Sequence, residues 1–360
     1  MDPLRHASQR CIRENSCGFV AGLEFPNNSG YRMRIPMKRI LITGGAGFIG
    51  SHLAEALVAD GKEVAVIDDL STGALANIAA LHNHPRFHFF QASIRDAGAL
   101  TQALEGVDFI YHLAAAVGVQ LVVKSPVYTI ESNVRGTEDV LAAAARTGCG
   151  VLVTSTSEVY GKSERDCFLE ADDLLIGPPT FGRWSYACSK LLDEFLALAY
   201  YREKQLPVTI VRLFNTVGQR QTGRYGMVVP RFVQAALRGA PIQIYGDGRQ
   251  TRCFCHVSDV VRALRALPEQ PAAVGQVFNI GSTEEVTIYE LAQRVQALSA
   301  SRSDLQLLPY DEAYAKGFED MRRRVPSIEK IQQLLGWQAT KNLDEILRLV
   351  IADQRAGSAV

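Results

Sequence analysis

An excess charge of either sign is missing from this sequence. Lysine plus arginine and aspartate plus glutamate number 38 each among 360 residues. That balance gives no global basic field for nucleic acid and no acidic tail, so a site for an anionic ligand must be local. Apolar runs of membrane-spanning length are missing too. The longest, Phe109 to Val123, contains His112 and Gln120 and falls short of the ~20 residues a spanning helix needs. It reads as a buried strand followed by a small-residue loop. Neither a fixed-period repeat nor a low-complexity block is present. Residues 1–36 are polar and aperiodic, without a charged stretch leading into an apolar one, so no secretory signal is expected. Because Met37 opens a strand pattern, residues 1–36 are expected to be an extension or a disordered leader.

Cysteine spacing excludes a metal motif. Cys11, Cys17, Cys149, Cys167, Cys188, Cys253 and Cys255 are odd in number and match no zinc or redox pattern. Alternation along a strand would place Cys253 and Cys255 on one face without any metal. The expectation is free, buried thiols, no metal, and a reducing cytoplasmic setting.

What is present is apolar residue in quantity, 47% of the chain. That supports a large core, as two domains or as one α/β domain with a smaller lobe. From Met37, strand patterns at 39–43, 63–67, 86–90, 108–113, 150–154 and 207–213 alternate with helical ones at 48–60, 97–105, 126–147 and 184–204. The alternation predicts an α/β fold, a Rossmann-type doubly wound parallel sheet covered on both faces. After Asn215 the texture changes. Loops rich in Gly, Arg and Gln at 218–226 and 246–252 separate helices near 228–238, 258–266, 287–299 and 342–353. We expect a first domain over 37–214 and, over 215–360, mostly a smaller α/β substrate lobe with some segments returning to the first domain.

Thr43-Gly44-Gly45-Ala46-Gly47-Phe48-Ile49-Gly50 follows a strand and opens a helix. Glycines there permit a tight turn and close approach of a pyrophosphate, which the helix N-terminus then meets with free N–H groups and a positive dipole end. A lone glycine motif is weak; strand, loop and helix together are stronger. The next strand ends at Asp68, about 20 residues past the loop, where an acid meets the adenosine ribose hydroxyls. A carboxylate there repels a 2′-phosphate and favours NAD over NADP. The plainer alternative is that Asp68 and Asp69 cap the following turn.

Tyr186-Ala187-Cys188-Ser189-Lys190 sets a phenol and an ammonium at i and i+4 on one helical face. A nearby cation should favour the phenolate, which can take a hydroxyl proton while hydride leaves the same carbon. Upstream, Val153-Thr154-Ser155-Thr156-Ser157-Glu158-Val159-Tyr160-Gly161 ends an apolar strand, at the carboxyl edge where open α/β sheets bind ligands. Its hydroxyls can hold a reacting sugar hydroxyl, and Glu158 offers a second proton-transfer or electrostatic group. A Ser/Thr helix cap with Glu158 in the first turn explains the same residues equally well.

From Met37 to about Asp353 the chain resembles the extended short-chain dehydrogenase/reductase family of nucleotide-sugar epimerases, dehydratases and decarboxylases. Supporting motifs are His112-Leu113-Ala114-Ala115, Asn133 in Ser-Asn-Val-Arg-Gly-Thr, and Arg212-Leu213-Phe214-Asn215. Tyr245-Gly246-Asp247-Gly248-Arg249-Gln250-Thr251-Arg252 and Arg324-Val325-Pro326-Ser327 follow. The resemblance implies that Tyr186 is the base, that Lys190 also grips the nicotinamide ribose, and that Thr156 partners Tyr186, with Glu158 beside them. It implies NAD contacts from Gly44, Gly47, Phe48, Ile49, Gly50, Asp68, Ser93, Ile94, Leu113, Ala114, Ala115 and Asn133. Sugar-diphosphate contacts are implied for Asn215 and Arg252, with Ser157 and Arg324 also on the substrate. Relatives often carry Gly-Asp where Ala92-Ser93 stand here, which weakens the expected adenine contact. A homodimer is implied as well, its helices carrying Asn133 and Tyr186 pairing as a four-helix bundle; the apolar run Leu191, Leu192, Phe195, Leu196 suits that or plain core packing.

The resemblance further implies oxidation at C4 of a hexose, giving a 4-keto sugar that then loses a C5 carboxylate, loses water across C5 and C6, or is reduced on its other face. Thr-Ser-Glu-Val-Tyr-Gly, Gln250-Thr251-Arg252 and the Arg-x-Pro-Ser segment resemble UDP-glucuronate decarboxylases, which form UDP-xylose. Ser157-Glu158 differs from the Asp-Glu of dTDP-glucose dehydratases, and Asp68 disagrees with the NADP of GDP-mannose dehydratases. Gly182-Arg183-Trp184-Ser185 is not the usual sequence of eukaryotic decarboxylases. UDP-glucuronate decarboxylation therefore ranks first. A UDP-sugar or UDP-glucuronate 4-epimerase, a 4,6-dehydratase, and a non-catalytic NAD-binding protein are the alternatives.

Overall fold

The computed structural model describes residues 37–118, 122, 124–223, 227–309, 312 and 321–357; the expectation for the leader, 1–36, lies outside them. In the first half, β1 (Arg39–Thr43), β2 (Glu63–Ile67), β3 (Phe87–Phe90), β4 (Phe109–His112), β5 (Gly150–Thr156) and β6 (Val208–Leu213) alternate with helices. The helices are α1 (Phe48–Ala59), α2 (Ala97–Ala103), α3 (Pro126–Thr147) and α4 (Trp184–Lys204). The second half holds β7 (Thr216–Val217), α5 (Val228–Leu237), β8 (Ile242–Tyr245), β9 (Thr251–Cys253), β10 (Cys255–His256) and α6 (Val257–Ala266). After these come β11 (Gln276–Ile280), β12 (Glu285–Thr287), α7 (Ile288–Leu298), β13 (Leu305–Leu308), α8 (Glu329–Leu335) and α9 (Leu343–Gly357).

A seven-stranded sheet of order β11-β6-β5-β4-β1-β2-β3 forms the centre, and its pairings are parallel. Side chains alternate across it. Ile40, Ile42, Val64, Val66 and Tyr111 enter one core, and Leu41, Ala65, Ile67, Ile110 and Val151 the other. Burial on both faces explains why these strands read as continuous apolar runs. Each fully buried aliphatic side chain contributes about 1.5–3 kcal/mol. Strand order reverses between β1 and β4, which opens a crevice at their carboxyl ends.

Helix limits follow local chemistry. Pro126 starts α3, and Gly148 ends it with φ +71° in the left-handed region. Thr287 and Glu290 form a reciprocal capping box on α7.

The sequence pattern marks no strand over 276–280, where β11 stands. This strand returns to the main sheet and pairs with β6, Gln276 opposite Thr209 through Ile280 opposite Leu213. Between these two strands the chain makes β7 to β10, α5 and α6. A separate core joins Phe232, Val233, Ile242, Ile244, Leu291, Val295, Ile346 and Leu347. A fourth cluster, Tyr160, Phe168, Trp184, Phe214 and Met321, packs behind the end of β5. Cys253 and Cys255 are buried as expected but belong to different short strands. Among the described residues no helix is long and apolar enough to cross a membrane.

Candidate active site

A cavity of about 730 Å³ opens at the carboxyl ends of the strands, over the switch point between β1 and β4. Its size suits a small organic ligand. The glycine loop forms one end. Gly44 takes φ +71°, and a Cβ there would lie 2.8 Å from the Ala114 backbone. A Cβ on Gly50 would collide with the Gly44 carbonyl oxygen. Gly47 stands at the N-cap of α1 with no side-chain cap, so the first-turn N–H groups are left to a ligand.

Asp68 lines the same end while both of its oxygens bind backbone. Oδ2 accepts from Ala46 N at 2.9 Å and Oδ1 from Leu70 N at 2.8 Å. Burial raises its pKa, and the N–H groups of Leu70, Ala46 and Gly47 pull it back down. The turn-capping alternative is therefore realised, and the same carboxylate still faces the cavity. Ser93 and Ile94 line the adenosine side; the Ser93 hydroxyl accepts from Arg95 N at 3.2 Å. Leu113, Ala114 and Ala115 line the floor, fixed by Leu113 N to Thr43 O at 3.1 Å and Ala114 N to Thr43 Oγ1 at 3.2 Å. A glycine cradle, an uncapped helix start and an acid at the end of β2 fit a dinucleotide without a 2′-phosphate.

Thr156, Ser157, Glu158, Tyr186 and Lys190 converge on the other part of the cavity. Thr156 ends β5 and caps the short turn Ser157–Tyr160, accepting from Glu158 N at 3.2 Å. It also hydrogen-bonds the Tyr186 phenol. The capping alternative is realised, and the capped residues also line the cleft. Two arginines flank the Glu158 carboxylate. Arg324 Nη1 lies 3.4 Å from Oε1 and Arg183 Nη2 lies 4.0 Å from Oε2, and both guanidiniums are buried.

The electrostatics of Tyr186 correct the simple pairing expected from sequence. Its pKa is pushed up, first by burial and then by the negative charge of Glu158; the Thr156 hydrogen bond opposes this, Asp193 adds to it, and Arg324 opposes it. Lys190 does not act as a lone cation. Its ammonium is 2.7 Å from Asp193 Oδ2, in a pair buried on both sides. At this phenol, desolvation outweighs attraction from cations.

Two expected contact residues stand outside the cavity wall. Asn133 is buried behind it, accepting from Ala116 N at 2.7 Å and donating to Ser189 Oγ at 3.0 Å. It ties the floor loop to α4 rather than facing the cleft. Arg252 is buried in β9, and its Nη1 donates to the carbonyl of Thr251 at 2.7 Å. Asn215 and Arg324 do line the cavity. Asn215 adopts φ +31° and donates from Nδ2 to Cys253 O at 2.9 Å, so its side chain anchors the second half's first loop. Wall residues missed by sequence reasoning include Ser71, Thr72, Arg183, Gln221, Thr222 and Met227. Arg183 sits three residues before Tyr186, a position whose charge was visible in sequence but whose direction was not.

A family model described as GDP-mannose 4,6 dehydratase matches residues 41–350. The chain belongs to this family, the nucleotide-sugar enzymes of extended short-chain dehydrogenase/reductase type. It is 40% identical over 315 residues to a UDP-N-acetyl-alpha-D-glucosaminuronate decarboxylase of Bacillus cytotoxicus, covering 87% of this chain and 97% of that protein. It is 38% identical over 319 residues to UDP-glucuronic acid decarboxylase 1 of Danio rerio, covering 87% of this chain and 72% of the other. Among solved structures, UDP-glucuronic acid 4-epimerase of Bacillus cereus, in complex with UDP-glucuronic acid and NAD, superposes with a TM-score of 0.79. It shares 29% identity and covers 88% of this chain and 99% of that one.

Proposed function

We propose that this chain is an NAD-dependent decarboxylase of a UDP-linked uronate, with UDP-glucuronate as the first candidate and UDP-xylose as its product. The observation that carries this reading is the pair Arg183 and Arg324, converging on Glu158 in the cavity that holds Tyr186 and Thr156. Guanidinium groups are the usual partners of a carboxylate; two of them against the single Glu158 leave a net positive charge there, which suits a C5 carboxylate better than a neutral hydroxymethyl. The names of the relatives agree in class, both being decarboxylases of UDP-linked uronates. A second reading, UDP-N-acetylglucosaminuronate as substrate, is favoured by the relative at 40% identity.

Gly44, Gly47, Gly50 and the start of α1 would hold the pyrophosphate, and Asp68 the adenosine ribose. When bound, NAD accepts hydride from C4 and later returns it. The Tyr186 phenolate would take the C4 hydroxyl proton as that hydride leaves, with Thr156 holding the same oxygen. The resulting 4-ketone is β to the C5 carboxylate. Loss of carbon dioxide leaves an electron pair at C5 that the ketone stabilises as an enolate. Glu158, beside Tyr186, would relay a proton from water to C5, and Tyr186 would then return its proton to the C4 oxygen as hydride comes back. Asn215 belongs to the sugar-diphosphate side.

The division into an NAD-binding part over 37–214 and mainly a substrate lobe over 215–360 belongs to this proposal, with β11 as a returning segment. A homodimer does too. Val127 and Ile130 on α3 and Leu192 and Phe195 on α4 are exposed on neighbouring helices that pack together. Leu191 and Leu196 instead turn into cores. Cytoplasmic residence belongs to the same reading, on the reduced thiols of Cys188, Cys253 and Cys255.

The test is purified protein with NAD and, separately, UDP-glucuronate, UDP-N-acetylglucosaminuronate, UDP-glucose, dTDP-glucose and GDP-mannose, followed by NMR. A UDP-pentose with carbon dioxide is the expected product of UDP-glucuronate. UDP-galacturonate would replace the proposal with epimerisation, and a 6-deoxy-4-keto product with dehydration. Tyr186→Phe should lower turnover by about 10²–10⁴-fold; wild-type turnover would remove Tyr186 from the chemistry.

A further inference from the structure

Behind the cavity wall lies a polar chain that the proposed reaction does not use. Lys190 lines the cavity, but its ammonium is held by Asp193, one turn further along α4. Asp193 is 0% exposed and is not a wall residue. Thr137 of α3 lies beside its carboxylate, whose Oδ1 finds no hydrogen-bond partner among the described residues. The Thr137 hydroxyl lies 3.0 Å from His112 Nε2, and His112 Nδ1 lies 2.8 Å from Thr43 Oγ1. Thr43 is the last residue of β1, immediately before Gly44. One buried line of polar side chains thus runs from the base of the glycine loop to the Lys190 ammonium, through β1, β4, α3 and α4.

The charge in this chain resides on Lys190 and Asp193. Burial first, then the Lys190 charge, push the His112 pKa down to about 3, so the imidazole is neutral. A neutral imidazole has one donor and one acceptor, which suits a place between two hydroxyls. A buried ion pair brings little net stability, because desolvation offsets the attraction. Stability alone is therefore a poor account of a carboxylate placed 2.7 Å from this ammonium.

We propose that Asp193 is a positioning residue for the reaction, aiming the Lys190 ammonium at the cofactor ribose and balancing its charge beside Tyr186. This rests on the reading of Tyr186 and Lys190 as the pair flanking the C4 carbinol. The groups that act on the phenol are Asp193 on α4, Thr156 at the end of β5, Glu158 just after it, and Arg324 before α8; Lys190 faces Asp193 and His112, and Arg183 faces Glu158. Asp193 acts against the phenolate in this set. Removing its charge therefore favours the phenolate while freeing the ammonium from its fixed direction.

The experiment compares wild type, Asp193→Asn and Asp193→Glu in the full chain. Asn keeps the shape and loses the charge; Glu keeps the charge and displaces it by one methylene. For Asp193→Asn, kcat should fall by about 10²-fold, the scale of an ångström-sized misplacement, with KM for UDP-glucuronate changed less than about threefold. The acid limb of its kcat/KM profile should move to lower pH, and NAD should bind more weakly. For Asp193→Glu, kcat should also fall with little change in KM or melting temperature. A lowered melting temperature with kcat per folded protein and the acid limb unchanged would overturn the proposal. Should the Asn variant fail to fold, wild-type kcat in Asp193→Glu would overturn it alone. If wild type turns over no nucleotide sugar, the functional reading fails instead. NAD affinity then still tests Asp193: weaker binding in the variants supports its aim on Lys190, and unchanged binding overturns it.

Discussion

At the scale of single residues, the site is a contest between burial and charge around one phenol. Burial and Glu158 hold the Tyr186 pKa up, and Arg324 draws it down. On the proposed mechanism the phenolate is the working base, so activity should fall as pH drops through this group's pKa in the free enzyme. Removing the Glu158 charge lowers that pKa, and removing the Arg324 charge raises it. Glu158→Gln should therefore shift the acid limb of kcat/KM to lower pH even as the maximum falls, and Arg324→Ala should shift it to higher pH. Initial rates across pH for both variants check the signs. Shifts in the same direction would mean that another group governs the limb. The types of these residues were legible in sequence, and their pairings were not. Lys190 and Asp193 are three apart on a helix, a spacing shared by many exposed pairs; burial on both sides gives this one its weight. Arg252 reads as a phosphate ligand from its neighbours; in the fold it is buried in β9, outside the cavity wall, with Nη1 on the Thr251 carbonyl.

At the scale of elements, the glycine loop is the most constrained segment. Gly44 combines φ +71° with backbone of Ala114 where a Cβ would sit. Gly44→Ala should cost about 1–3 kcal/mol in strain and weaken NAD binding, read by thermal unfolding and by titration with NAD. Unchanged melting and affinity would show that the loop can relax. Elements with strong local signals were legible. The pattern gives β1, β2, α3 and α4 their observed limits, because two-sided burial, Pro126 and Gly148 mark them locally. β11 escaped because Gln276–Ile280 is short, and its place is set by pairing with β6 across an intervening stretch of sixty-odd residues. No local periodicity carries that information. The overlap of cap and site at Thr156 has a similar cause: one hydroxyl serves Glu158 N and the Tyr186 phenol, and sequence shows only the hydroxyl.

At the scale of the whole molecule, the sheet and the second half's own core meet over one cavity, and the helices α3 and α4 carry both its rear support and an outer apolar face. Phe195 is 64% exposed and Val127 68%. On the dimer reading, Phe195→Glu should shift the protein from dimer to monomer in light scattering; a wild-type mass that is already monomeric, or a variant that stays dimeric through the same concentrations, would contradict it. The central claim, however, is chemical: hydride leaves C4, the C5 carboxylate departs, and the same hydride returns. UDP-glucuronate carrying deuterium at C4, turned over in ordinary water, measures this directly. The account predicts release of carbon dioxide and a UDP-pentose that keeps its deuterium at C4. A product that retains the carboxylate, or a pentose whose C4 label has been lost, would contradict it.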